Sequence, residues 1–199
     1  SLQAMVLANE AELGTGAGDP LELALLEYAH AQQVDGTQMN ARHPRHSLLP
    51  FDSGHRFMRV TVEENGGLVS YLKGAPESLI GRSRLSAAEQ RNWEEKAEGY
   101  AREGFRVLAL AWREGEGDEQ LVFLGLALLW DPPRPEVPAA IRQAQEAGIR
   151  VVMITGDHPA TALAVASEVG IPAGRVMTGL ELEKLSGEEL EQALKKTNV

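Results

Sequence analysis

The sequence predicts an α/β protein in two parts, on three observations. Two β-rich runs, over 57–63 and 68–73, flank Asn65-Gly66-Gly67, whose Asn-Gly step favours a tight hairpin. Helical patterns recur and stop at glycines: 86–103 before Gly104, 135–147 before Gly148 and 159–169 before Gly170. The wholly apolar Val151-Val152-Met153-Ile154 lies between two of those helices and has the composition of an inner parallel strand covered on both faces.

The remaining elements follow in chain order. Gly14 to Pro20 is turn-rich, and its glycine spacing misses the dinucleotide fingerprint, so it reads as a loop. Asp19 is a good N-cap and Pro20 a good first residue for a helix over 21–34 with Leu23, Leu26, Ala29 and His30 on one face. The polar, proline-broken Ala41-Arg42-His43-Pro44-Arg45-His46 is expected to be irregular. A short helix starts at Pro76, and Ser86 with Glu89 has capping-box spacing for the next one. Strands are expected over 106–112 and from Leu121, with an acidic glycine-rich turn between them. Pro132, Pro133, Pro135 and Pro138 mark a rigid connection, which divides the chain into domains at 1–122 and 123–199.

Composition bounds the function. With 199 residues, 43% of them hydrophobic, the chain can bury a substantial core. A formal net charge of −10 argues against a nucleic-acid partner and requires local cations for any anionic ligand. The absence of cysteine excludes disulfides and thiolate metal sites. The longest apolar run, 121–130, is far short of the roughly 20 residues of a membrane helix, and no signal peptide is visible. The chain is expected to be soluble. Its start without methionine and its polar end at Lys196-Thr197-Asn198-Val199 lead to the expectation of a segment cut from something longer.

Two stretches carry chemistry. In Lys73-Gly74-Ala75-Pro76-Glu77 a cation ends a strand, a glycine lets a ligand approach the backbone, and a helix begins with free amides. These are ingredients of an anion site, although taken alone they favour a solvated lysine at a strand-to-helix turn. In Thr155-Gly156-Asp157 a hydroxyl and a glycine follow an apolar strand at the edge where open α/β sheets bind ligands. Asp157 either caps the next helix or lies near a bound metal, and the local residues leave both open. Asp131 and Arg134 are also ambiguous locally, since Asp131-Pro132-Pro133-Arg134 fits a stiff linker whose charges simply pair as well as it fits a site.

Six pieces occur in order: Gly18-Asp19-Pro20 with Glu22, Pro50-Phe51-Asp52-Ser53 with Arg56 and Met58, Lys73-Gly74-Ala75-Pro76-Glu77, Gly104-Phe105-Arg106-Val107-Leu108-Ala109, Asp131-Pro132-Pro133-Arg134 and Thr155-Gly156-Asp157. Together they resemble the large cytoplasmic loop of P-type cation-transporting ATPases, over about 18–195. The third and fifth are similar to the branch that moves Ca²⁺, Na⁺/K⁺ and other light cations. The resemblance implies a nucleotide-binding domain built on an antiparallel sheet with flanking helices. A partial Rossmannoid domain of haloacid-dehalogenase type, the phosphorylation domain, would follow it. It implies that Phe51 stacks on adenine, Glu22 sits beside the purine, and Lys73 with Gly74 lies along the sugar and phosphates. Arg106 would meet the phosphates and Arg56 would form a further basic wall. Asp131, Arg134, Thr155, Gly156 and Asp157 would belong to the nucleotide and phosphoryl site.

Two departures qualify this. Where the family often has a basic run after Asp-Ser, this chain has Gly54-His55-Arg56-Phe57, with His55 a candidate pH-dependent group and Phe57 equally suited to the core. The family's phosphorylated aspartate, in Asp-Lys-Thr-Gly-Thr-Leu-Thr, and its Mg²⁺-holding Gly-Asp-Gly-x-Asn-Asp segment do not occur in this sequence. The expectation is a cytoplasmic-side segment of a multi-pass membrane ATPase, monomeric or weakly dimeric, that binds ATP without turning it over. No metal site is expected in the segment itself. Mg²⁺ and the transported cation would belong to the full-length protein. The alternatives are a free-standing dehalogenase-type phosphatase, with Asp131 or Asp157 as nucleophile, and a non-catalytic interaction domain.

Overall fold

A computed structural model describes residues 1–172, 176–195 and 197–198, so Lys196 and Val199 of the polar tail lie outside the described residues. The chain forms two compact units, Ser1–Ala97 with Val107–Leu129, and Glu98–Arg106 with Trp130–Val199.

The first unit is built on a five-stranded sheet in sequential order: β1 (Arg45–Leu49), β2 (Phe57–Glu64), β3 (Gly67–Gly74), β4 (Arg106–Glu114) and β5 (Val122–Leu129). Pairing from β1 through β4 is antiparallel. The Asn-Gly hairpin forms as the sequence predicts, with Asn65 and Gly66 at positive φ and Glu64 opposite Gly67. Strand alternation then sorts side chains between two cores. Met58, Val60, Val62, Tyr71 and Leu110 face α1 (Leu2–Leu7) and α2 (Pro20–Ala31) through Met5, Leu7 and Leu25. Phe57, Leu72, Ala109 and Ala111 face Leu79 of α4 (Pro76–Arg82) and Leu121. Fully burying Phe57, Leu72 or Leu79 contributes about 1.5–3 kcal/mol each. On β5 the alternation slips at Gly125, whose φ is +127°, so Phe123 and Leu126 share one face while Leu124 and Ala127 share the other.

Helix ends follow the local signals. Asp19 accepts from the Leu21 N–H, and Ser86 exchanges bonds with Glu89 at the head of α5 (Ala87–Arg102). Gly104, Gly148 and Gly170 end α5, α6 (Val137–Glu146) and α7 (Pro159–Glu168) in left-handed conformations. In each case the next residue's N–H returns to the last turn, as from Phe105 to the Tyr100 carbonyl. Helix α2 stops at Ala31, short of the predicted Val34, because Gln33 adopts φ +64° and Val34 donates to the Ala29 carbonyl.

Three regular elements run against the sequence reading. Helix α1 forms within the N-terminal stretch, where no element was expected. The stretch expected to be irregular is mostly ordered: α3 (Gly36–Arg42) runs to Arg42, and β1 begins at Arg45. Pairing with β2, from Arg45 opposite Val62 to Leu49 opposite Arg59, overrides the weak local propensity.

In the second unit Ile141 of α6 and Ala166 of α7 pack with Val169, Ile171, Val151 and Met153. The predicted strand over 150–154 is not one. Its residues alternate, Val151 and Met153 inward and Val152 and Ile154 outward, with Ile154 96% exposed. An inner strand needs a ladder on both sides. Among the described residues the backbone of 150–154 gains one such bond, from Met153 N–H to the Asn198 carbonyl. Two short helices, α8 (Gly179–Leu182) and α9 (Gly187–Leu194), follow, each opened by a capping box.

A Cβ at Gly74 would lie 2.5 Å from both the Arg56 carbonyl oxygen and Phe57 Cβ. Gly74→Ala is therefore expected to destabilise the first unit by about 1–3 kcal/mol. A urea-unfolding midpoint that does not move would show that the β2–β3 crossing is looser than described.

Candidate functional site

The candidate site is centred on Lys73, the second-last residue of β3. Its alternation points it to the face covered by α2, where its side chain is 9% exposed and its ammonium lies 2.5 Å from Glu22 Oε1. Burial pushes the Lys73 ammonium below its ordinary 10.5, while Glu22, Asp19 and Glu10 pull it back up. Glu22 occupies the first turn of α2, where a carboxylate also suits the helix dipole. Its second oxygen, Oε2, accepts from the Glu10 N–H at 3.2 Å.

Gly74 continues the strand opposite Phe57, and the Ala75 N–H donates to the Arg56 carbonyl at 2.9 Å. Its lack of a side chain is thus required by the neighbouring strand. That crossing anchors the loop between β1 and β2 beside the end of β3. Within the loop Asp52 Oδ1 accepts from the Gly54 N–H, and the Arg56 N–H donates to the Asp52 carbonyl. Arg56, at φ +61°, pairs with Glu77 of α4. His55 reaches the Pro50 carbonyl at 3.2 Å and stands edge-on to Phe57. Phe57 itself is fully buried core, whereas Phe51, at the loop's start, is 61% exposed.

The second unit gathers the other predicted residues. Asp157 Oδ1 lies 3.5 Å from Arg106 Nε, and Thr155 Oγ1 donates to Asp157 Oδ2 at 2.9 Å while accepting the Asp157 N–H. Asp157 does not cap α7: His158 is the N-cap, its Nδ1 accepting from the Ala160 N–H. Gly156 faces open space. Asp131 and Arg134 are exposed, and among the described residues neither makes an ion pair, so the expected pairing of linker charges does not occur. No three His, Asp or Glu side chains among the described residues gather as a metal site. No described helix is long and apolar enough to cross a membrane.

The family model described as "P-type ATPase, cytoplasmic domain N" matches residues 2–136. The chain belongs to the P-type ATPase family. It is 35% identical over 211 residues to calcium-transporting ATPase 1 of Bacillus cereus, covering 95% of this chain and 24% of that protein. It is 38% identical over 201 residues to the calcium-transporting ATPase of Bacillus subtilis, covering 89% and 22%. With the cation-transporting ATPase pma1 of Synechocystis the identity is 36% over 197 residues, covering 88% and 22%. The chain thus spans about a quarter of the length of these curated relatives.

Sequence reasoning placed Glu22 and Lys73 separately and missed that they pair. It also missed Asn9, a buried residue behind Glu22 whose only sequence signal was its position after an apolar run. A hollow of about 470 Å³ lies at the other end of the β2–β3 hairpin around Glu64, Tyr71 and Trp112. We place the candidate site at Lys73 on its chemistry, because a nucleotide needs a stacking face and cations more than an enclosed hollow.

Removing the Glu22 carboxylate strands a buried ammonium. Glu22→Ala is expected to cost about 3 kcal/mol at neutral pH. The native Lys73 pKa lies below 10.5, so the unfolded chain binds more protons as pH approaches that value, and stability from this group rises with pH there. Without Glu22 the Lys73 pKa falls further, so the variant gains more stability with rising pH than the wild type does, and the deficit should shrink as pH rises toward 10.5, as read from urea midpoints. A deficit constant across that range would contradict the assignment.

Proposed function

We propose that this chain is the ATP-binding segment of a P-type ATPase of the light-cation branch. Its first domain, 1–122, would be the nucleotide-binding domain, and 123–199 part of a dehalogenase-like phosphorylation domain. The observation that carries this reading is the exposed Phe51 ring on a loop anchored beside the Lys73–Gly74 end of β3, with Lys73 held against Glu22. Adenine would stack on Phe51, and Glu22 would sit beside the purine. Lys73 and Gly74 would line the sugar and phosphates, with Arg56 and Arg106 as further cations. Asp131 and Arg134 would bind ATP, and Thr155, Gly156 and Asp157 would form the phosphoryl site, with Arg106 paired to Asp157.

In the full-length protein, ATP hydrolysis through an aspartyl-phosphate would drive cation movement across a membrane, with this segment on the cytoplasmic side. The Asp-Lys-Thr-Gly-Thr-Leu-Thr sequence is not among these 199 residues, so the segment would hold ATP without accepting its phosphate. Mg²⁺ chemistry would belong to the full-length protein under this reading.

Affinity should be modest. One aromatic stack contributes roughly 1–3 kcal/mol and each of two charge-assisted hydrogen bonds roughly 1.5–3, against at least about 4 kcal/mol of lost rigid-body freedom. Lys73 enters already neutralised by Glu22, which holds the gain near the lower figures. The dissociation constant should fall between about 0.1 and several mM. Lys73→Ala and Phe51→Ala are each expected to abolish ATP binding measurable by calorimetry. Retention of wild-type affinity in both would sink the site, and magnesium-dependent phosphatase turnover by the purified chain would favour a free-standing phosphatase instead.

A further inference from the structure

Behind the Lys73–Glu22 pair lies a corner that the reading above does not use. Asn9 follows the end of α1 and is 4% exposed. Its Nδ2 donates both to the Met5 carbonyl, at 3.1 Å, and to the Glu22 carbonyl, at 3.0 Å. Its Oδ1 accepts from the Ala11 N–H at 2.8 Å, and its backbone carbonyl accepts from Arg45 Nη2 at 2.7 Å. The next residue, Glu10, donates its N–H to Glu22 Oε2. One short segment therefore grips Glu22 at its main chain and at its carboxylate, leaving Oε1 aimed at Lys73.

We infer that Asn9 is a positioning residue that sets the direction of the Glu22 carboxylate and thereby the site's preference for adenine over guanine. The inference rests on the proposed placement of Glu22 beside the purine. A carboxylate accepts hydrogen bonds only, with lone pairs to spare beyond Lys73 and Glu10. Adenine presents an exocyclic amine, which such an acceptor attracts, where guanine presents a carbonyl oxygen, which it repels. That discrimination requires the carboxylate to be held in one direction, since a free Glu side chain would swing away from guanine at little cost. Among the side-chain hydrogen bonds of the described residues, those of Asn9 join the Glu22 carbonyl to the segment that holds Oε2.

The test is the ratio of GTP to ATP dissociation constants for the 199-residue chain, from NMR titration. Asn9→Ala and Asn9→Ser are compared with Val6→Ala, which loosens the packing of the same helix without touching Glu22. Asn9→Ser keeps an oxygen for the Ala11 N–H but cannot reach the Glu22 carbonyl. Loss of one such bond predicts that the ratio falls about fivefold in both Asn9 variants and stays at the wild-type value in Val6→Ala. An unchanged ratio in the Asn9 variants, with Glu22→Gln collapsing it, would overturn the role of Asn9 and leave the site standing. An equal fall in Val6→Ala would also overturn it, as general loosening. No preference in the wild type, or none lost in Glu22→Gln, would overturn both the placement of Glu22 and this inference.

Discussion

The buried Lys73 ammonium is the constraint around which the first unit's site is arranged. An ammonium taken out of water is several kcal/mol unfavourable unless a carboxylate and good geometry meet it. Here Glu22 arrives from α2, across 51 residues of sequence, and is in turn held by the backbone at Glu10. The pair ties the end of β3 to α2, and Asn9 ties α2 to the end of α1. Helices packed on Met58, Val60 and Tyr71 thereby gain polar ties that help fix their register. The pairing also changes what Lys73 offers a ligand: directed hydrogen bonds within a nearly neutral pair, in place of a free positive charge.

The two groups of predicted residues differ in character. Around Lys73 the polar atoms are enclosed and mutually satisfied, with Phe51 the one large apolar surface presented outward from the adjoining loop. Around Asp157 they are more open, and Thr155 and Arg106 both point their donors at the same carboxylate. The first arrangement suits selective binding of a flat ring with weak affinity. In the second, Asp157 already engages the local donors while Gly156 leaves the backbone uncovered.

Much of this was legible in the sequence wherever the cause is local. The Asn65-Gly66 turn, the Asp19 and Ser86 caps and the glycine stops at 104, 148 and 170 each depend on residues within a few positions. The elements that were not legible depend on partners far away. Strand β1 exists because β2 is there to pair with it, and α1 because a sheet face needs covering. The segment 150–154 fails in the opposite sense: its apolar run looks like an inner strand, yet the described residues supply its backbone with a single such bond, from Met153 to Asn198. In the site, motif resemblance named Lys73, Glu22 and Phe51 singly. It carried no information that Glu22 neutralises Lys73, or that Asn9 stands behind Glu22.

The account turns on where a nucleotide docks in the first unit. Amide chemical-shift mapping of the 199-residue chain during an ATP titration addresses this most directly. The account predicts saturable shifts in the millimolar range, with the largest at Lys73, Gly74, Glu22 and the 50–56 loop. Shifts absent from those residues, or concentrated around Glu64, Asn65 and Trp112 at the other end of the hairpin, would contradict it.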